Sequence, residues 1–421
     1  MFRSLFRTTK HILLAALLLA GVVCALEVGL RVRRFRAAVQ GEALPESLAP
    51  DTLVQPSYDT FVTLRPHARV EAVNDETARP VPIRINSFGC RGAEPVIPKP
   101  TGTYRVLCLG DDTTFARELP EHETYTELVR ARLQERTELA VEVLNAGLPD
   151  GCPLTSLLRL RHDLLALQPD LVLLHFDLSD LTDDHRIRRH ARIDSKLGPL
   201  SATHPRLDQA TAEAWERLED EFLLVRYLRY STSEECLEDV WPSPQPTLAT
   251  ESGKYLWLSQ ESSKWQQPLE YAWSPVPFMR DLLAGSYAEL LVATCPKAWQ
   301  ISPNGGNREL RKRLGIPDGA VYDSREPVAA VQQLAAADGI RFLDTTRWFE
   351  AEPSPERLFG RNYDGLSAEG HALYGAILAE FVFRAFPENW SAPVNPSGPT
   401  GGAVPQLTNP LPDDRTAVPI R

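Results

Sequence analysis

Residues Leu107 to Phe115 read LCLGDDTTF, an apolar run that breaks into Gly110-Asp111-Asp112. A short apolar run bounded by a turn signal predicts a strand buried on both faces, and Arg105 to Leu109 is that strand. Working outward, Tyr125, Leu128, Val129 and Leu133 recur at helical spacing, and Val141 to Leu144 gives a second strand that ends in Asn145-Ala146-Gly147. Leu157 to Leu167 predicts a leucine-rich helix, and Pro169-Asp170 opens a third strand, LVLLHF. Glu289 to Cys295 and Ile340 to Asp344 supply two more strands, with a helix between them over Val328 to Ala337 and a closing amphipathic helix over Glu369 to Phe386. Strands and helices that alternate in this way, with continuously apolar strands, predict an α/β domain with a parallel sheet covered on both faces. In such sheets a site forms outside the carboxyl ends of the strands.

Four short blocks fall at those ends: Gly110-Asp111-Asp112, Asn145-Ala146-Gly147, Asp177-Leu178-Ser179-Asp180, and Tyr363-Asp364-Gly365-Leu366-Ser367-Ala368-Glu369-Gly370-His371. A turn-rich lead-in, Asn86-Ser87-Phe88-Gly89-Cys90-Arg91-Gly92, precedes them. In this order the blocks resemble those of the SGNH/GDSL esterase family, from about Ile85 to Phe386. The resemblance implies a three-layer α/β/α, flavodoxin-like SGNH hydrolase fold with a parallel five-stranded sheet. It also implies roles. Asp112 stands at the nucleophile position, Gly147 at the oxyanion glycine, Ser179 at the oxyanion asparagine and Asp364 at the triad aspartate. Asp177 replaces a glycine, Asp180 is retained, and the catalytic histidine is missing near Gly365. His371 matches the helix-start histidine, which is not the base, and reads as a structural residue. For Gly147 an oxyanion donor and a plain strand-to-loop turn stand as equal readings.

Such an esterase needs a hydroxyl nucleophile, a base and oxyanion donors. Losing nucleophile and base together removes the mechanism, and carboxylates at Asp112 and Asp177 would repel the oxyanion. The expectation is therefore a catalytically silent domain that binds a glycan or acylated envelope ligand, with no cofactor and no resident metal. Two alternatives stay open. Ester hydrolysis or O-acyl transfer could run through Ser179 with His175 or His185. Asp111, Asp112, Asp177 and Asp180 could instead hold a divalent cation or supply an aspartate nucleophile, with Asp183, Asp184 and His185 one turn further on.

The remainder of the chain sets the context. Its 421 residues carry a formal net charge of −11, which argues against a nucleic-acid partner. Ile12 to Leu30 carries one charge, Glu27, and is long enough as a helix, about 28 Å, to span a bilayer. The expectation is a single-pass anchor with residues 1–11 cytoplasmic and the main domain extracytoplasmic; a cleaved signal peptide, with Val23-Cys24-Ala25 as its cleavage site, and a buried soluble helix are the rivals. Arg3, Arg7 and Lys10 precede this segment and Arg31, Arg33, Arg34 and Arg36 follow it, so charge does not settle its orientation. Residues 31–84 read as a polar stalk and a small β extension, 85–390 as the main domain, and 391–421 as a Pro/Gly-rich disordered tail. A Trp-rich helical insertion, about 200–279, opens with a helix predicted over Asp208 to Tyr230 and holds Trp215, Trp241, Trp257, Trp265 and Trp273. These tryptophans read either as a cap packed on the core or as an aromatic ligand platform. Cys108 and Cys295 fall in predicted buried strands and read as core residues.

Overall fold

The computed structural model describes residues 2–40, 53–207, 222, 224, 225, 228, 254, 255 and 262–387. The chain divides into two units: residues 1–51 with 205–245, and residues 52–204 with 246–421.

Within the first unit a long helix, α1, runs from Phe2 to Gln40. Leu14–Val32 has a mean hydropathy of 2.0 and carries few charges, so α1 is long and apolar enough to cross a membrane. α1 continues through Arg31 to Gln40 without a glycine or proline to end it, so the first part of the expected polar stalk is helical. The helix expected over Asp208 to Tyr230 lies mostly outside the described residues, as do Trp215, Trp241, Trp257, Cys236 and the 391–421 tail.

The second unit begins with two small antiparallel pairs. β1 (Val54–Pro56) pairs with β2 (Val62–Leu64), and β3 (Arg69–Val73) with β4 (Pro80–Arg84). β4 buries Val81 and Ile83 and exposes Pro80, Pro82 and Arg84, the alternation of a sheet packed on one face only.

The main sheet follows. Its strands are β5 (Thr103–Leu109), β6 (Ala140–Asn145), β7 (Leu171–His175), β10 (Glu289–Thr294) and β11 (Arg341–Asp344); an excursion after β7 carries the antiparallel pair β8 (Ala191–Asp194) and β9 (Gly198–Ala202). The five strands are all parallel and lie in the order β11-β10-β7-β5-β6. Counted within the sheet this is 2-1-3-4-5, the flavodoxin-like order, whose switch point falls between β5 and β7. β7 is buried along its whole length, and β5 from its second residue onward. Full burial of each such Leu or Val contributes about 1.5–3 kcal/mol, which makes this sheet the nucleus of the core.

The helices that matter to the site are α2 (Asp112–Phe115), α3 (Tyr125–Gln134), α4 (Pro153–Arg159) and α5 (Asp180–Arg188), then α6 (Ser262–Trp273), α7 (Val276–Ala284), α8 (Ala298–Ile301), α9 (Glu326–Ala337) and α10 (Ala368–Ala385). The segment predicted as one helix over Leu157–Leu167 starts four residues earlier, at Pro153, and loosens into a π turn and a 3₁₀ turn. Pro153 at the first helical position sets that start. Two insertion tryptophans are core residues: Trp265 and Trp273 are almost fully buried, and Trp273 Nε1 donates to Asp338 Oδ2 at 2.8 Å. For these two the platform reading is replaced by the packed cap.

A candidate site filled by its own ion pairs

Register brings the blocks together. Leu109 pairs with Leu174 and Ala293 with His175, so β5, β7 and β10 end level with one another. Asp111, Asp177 and Lys297 therefore emerge from neighbouring loops beside the switch point. Gly110, at φ +151°, makes the approach feasible, since a Cβ there would sit 2.9 Å from His175 Cβ and 2.3 Å from Thr114 Oγ1.

The lead-in arginine fixes the first turn. Arg91 is buried, and its guanidinium donates to the carbonyls of Phe115 at 2.7 Å, Ala116 and Leu119. Arg159 from α4 similarly reaches the carbonyls of Ala146 and of Gly89, the latter at 2.7 Å. Asp111 caps α2 by accepting from Thr113 N at 2.9 Å. Asp112, at the nucleophile position, is half-buried and turns toward the next loop, where its Oδ2 accepts from Asp150 N at 3.0 Å. Burial, with Asp150 and Asp111 nearby, raises its carboxyl to about 7.

Gly147 sits at the end of β6, and its N–H donates to Asn145 Oδ1 at 3.0 Å. That bond closes a local turn, so the donor is already engaged. The glycine is required by contact: a Cβ would meet Phe115 N at 2.3 Å.

Ser179 is buried after β7. Its hydroxyl donates to Asp177 Oδ1 at 2.5 Å and lies 3.3 Å from Asp111 Oδ2, so it turns toward carboxylates rather than toward an imidazole. His175 is engaged on both ring nitrogens, with Tyr374 Oη at 2.8 Å from Nδ1 and Asp177 Oδ2 at 3.4 Å from Nε2. Asp177 lies between Ser179 and His175, the reverse of a serine–histidine–aspartate arrangement. Asp180 Oδ2 accepts from Asp177 N at 2.9 Å, and burial next to Asp177 and Asp111 holds its carboxyl well above the usual range.

The residue that organises this cluster carried no motif. Lys297, just before α8, places Nζ 2.7 Å from Asp177 Oδ2 and 3.6 Å from Asp364 Oδ1. Burial opposes the charge on Asp177, but Lys297 and His175 outweigh it and hold the carboxyl well below its ordinary value. Burial likewise opposes the Lys297 charge, and Asp177 and Asp364 overcome it, so its pKa stays well above the ordinary lysine value. Asp364 is claimed from a second side: Tyr255 Oη donates to Asp364 Oδ2 at 2.6 Å, and Lys254 Nζ lies 3.7 Å from that oxygen. Lys254 and Tyr255 come from the insertion. The one signal that could have exposed them was the surplus of carboxylates, which required cations from elsewhere in the chain.

The divalent-cation alternative meets a specific obstacle. Asp111, His175 and Asp177 offer ligand atoms within 4.8 Å of one another. The Lys297 ammonium already neutralises Asp177, and a divalent cation there would face a buried positive charge. Asp112 does not join the group, because its carboxylate is directed at Asp150. Asp183 and Asp184 on α5 instead pair with Arg186 at 3.2 Å and Arg188 at 2.6 Å.

His371 takes the structural role assigned from sequence. Its Nδ1 accepts from Tyr125 N at 3.1 Å and its ring stacks on Tyr125, with centroids 5.9 Å apart. Burial, aided by His175 and Arg91, lowers its pKa to about 3. The segment at the missing histidine closes on itself, with Gly360 N donating to Gly365 O at 2.9 Å. Beside it lies a small surface depression lined by Thr113, Lys297, Trp299, Phe359, Tyr363 and Asp364.

A parallel five-stranded sheet in this order, flanked by helices, gives the chain a flavodoxin-like α/β fold, with the four blocks gathered at its carboxyl edge. No protein-family model and no curated protein matches the sequence. Among solved structures the chain is similar to a gut microbial diltiazem-metabolizing enzyme, at 12% identity and a TM-score of 0.38 over 69% of this chain and 48% of that one. It therefore spans about half the length of that protein. It is also similar to an acetylxylan esterase from Geobacillus stearothermophilus, at 13% identity and a TM-score of 0.33 over 67% of this chain and 93% of that one. A third is a protein described as lipolytic and of the G-D-S-L family from Desulfitobacterium hafniense, at 13% identity and a TM-score of 0.34 over 66% and 98%. The fold assignment stands on sheet order and block placement.

Proposed function

We propose that this chain is a membrane-tethered, extracytoplasmic SGNH-type domain whose hydrolytic centre has become a structural ion-pair network, and that it binds a glycan or acylated envelope ligand without cleaving it. The observation that carries the reading is the buried Lys297–Asp177 contact of 2.7 Å. It sits where an esterase would keep a neutral hydroxyl, a free imidazole and oxyanion donors. Serine-type hydrolysis requires a hydroxyl within reach of a base strong enough to take its proton, such as a free imidazole, and Lys297 and His175 hold the Asp177 carboxyl well below its ordinary value. In this cluster Ser179 donates to a carboxylate, and both His175 and His371 spend their rings on Tyr374, Asp177 and Tyr125. The apolar span of α1 supports the tether.

The test uses the full chain in detergent with short-chain aryl esters, beside an Asp112→Ala variant. No turnover in either is expected. Turnover that disappears in the variant overturns the silent reading. Retention on O-acetylated envelope polysaccharide, weakened when the polysaccharide is de-O-acetylated, is the expected binding result; equal retention on neither overturns the ligand assignment.

A further inference from the structure

The apolar span of α1, Leu14–Val32, contains one acidic side chain, Glu27, and it is engaged from outside the helix as well as from within it. Glu27 Oε1 accepts from Arg31 Nε at 2.7 Å, one turn along, and Glu27 Oε2 accepts from the backbone N–H of Leu224 at 2.7 Å. The Glu27 side chain is only 12% exposed, although the span around it is bare. Between Leu14 and Val32 the two residues that are not fully exposed are Glu27 and Leu30. They are three apart and so share one helix face. The Leu224 N–H meets that face at Glu27.

The segment around Leu224 is itself apolar. Phe222 is 43% and Leu228 53% exposed, while Leu224 and Val225 are half-buried. Residues 222–230 read FLLVRYLRY, which intersperses two arginines and two tyrosines among the apolar residues. Position along α1 adds a depth. Glu27 precedes Val32, the end of the apolar span, by five residues, or about 7.5 Å of helix. Interfacial segments lie about 5–10 Å into the boundary between headgroups and acyl chains.

We infer that the segment around Leu224 is a second membrane contact, an interfacial segment that enters an anionic phospholipid bilayer beside α1 with Phe222 and Leu228 toward the acyl chains. It rests on the membrane-tethering reading above. A carboxylate inside the apolar span is costly, and the Leu224 N–H and Arg31 satisfy it at the depth where that cost is falling. Exposed Phe and Leu side chains are unfavourable in water and favourable in the interface. Arg31, Arg33, Arg34 and Arg36 follow in sequence and suit anionic headgroups.

The experiment reconstitutes the full chain, with Cys24→Ser and Cys236→Ser, into phosphatidylcholine–phosphatidylglycerol vesicles. Single cysteines introduced as Phe222→Cys, Leu228→Cys, Leu18→Cys or Tyr287→Cys carry an environment-sensitive fluorophore, and nitroxide lipids quench it from shallow or deep positions. Tyr287 is 97% exposed and gives the aqueous baseline. The expected result is blue-shifted emission at 222 and 228, with at least threefold stronger quenching by the shallow nitroxide than at 287. Deep quenching at 18 with baseline behaviour at 222 and 228 overturns this inference and leaves the tether standing. Baseline behaviour at 18 overturns both.

Discussion

Lys297 Nζ lies 2.7 Å from Asp177 Oδ2 inside the protein, and both side chains are less than a tenth exposed. One residue comes from the loop after β7 and the other from the loop after β10. Their pairing converts a sheet edge that reads as an excess of acid into a nearly balanced cluster.

Breaking that pair on one side leaves a buried charge without compensation. Lys297→Met is expected to cost about 3–5 kcal/mol, whereas Lys297→Met combined with Asp177→Asn recovers most of the loss. Urea unfolding of the detergent-solubilised chain, followed by tryptophan fluorescence, measures both. Equal stability of the single variant and the wild type would show that the contact does not form.

A hydroxyl introduced at position 112 is not expected to confer esterase activity. Asp112→Ser is expected to remain inert toward aryl esters, because His371 accepts from Tyr125 N and His175 is held by Tyr374. A gain of turnover above buffer would reveal a base that the geometry does not provide.

Burial raises Asp183 to about 8 and Asp112 to about 7, against the opposing charges of Lys254 and Arg186 at Asp183. A carboxyl raised in the folded state keeps its proton where the unfolded chain has lost it. Stability is therefore present at low pH and declines as pH rises through the folded value. His371, lowered to about 3, contributes a change of opposite sign that is complete by about pH 6.5. Between pH 6.5 and 8 the decline should dominate. Asp183→Asn is expected to flatten it, and thermal unfolding midpoints across that range provide the check; a wild-type midpoint that rises with pH would contradict the assignment.

Tyr255 holds the insertion to the site through its 2.6 Å hydrogen bond to Asp364. Tyr255→Phe removes one donor to a charged acceptor and is expected to cost about 1.5–3 kcal/mol. Hydrogen exchange should report faster opening around residues 254–255 and 360–366, with β5 and β7 unchanged. Uniform change across the sheet would indicate a global effect instead.

Gly147→Ala is expected to destabilise by about 1–3 kcal/mol or more, because its Cβ would meet backbone atoms of Thr114 and Phe115 that cannot rotate away. Gly365→Ala is the control: the nearest neighbour of its Cβ is the Tyr363 ring at 3.3 Å, which can shift. Similar losses for the two variants would contradict the close approach at Gly147.

The sequence alone determined the alternation of buried strands and helices, because continuous apolar runs and helical spacing are local patterns. It also placed Asp112 and Ser179 beyond the carboxyl ends of two buried strands, and it read His371 as structural, which fits its hydrogen bond from Tyr125 N. It misplaced the start of α4 by four residues, since Pro153 opens the helix before the leucine pattern begins. Only the tertiary structure decided what the surplus carboxylates face. Lys297, Lys254 and Tyr255 carry no periodicity and no motif, and they are distant in sequence from Asp177 and Asp364. The parallel register levels β5, β7 and β10 and brings those loops to one edge, where low dielectric makes Asp177 and Asp364 depend on particular cations.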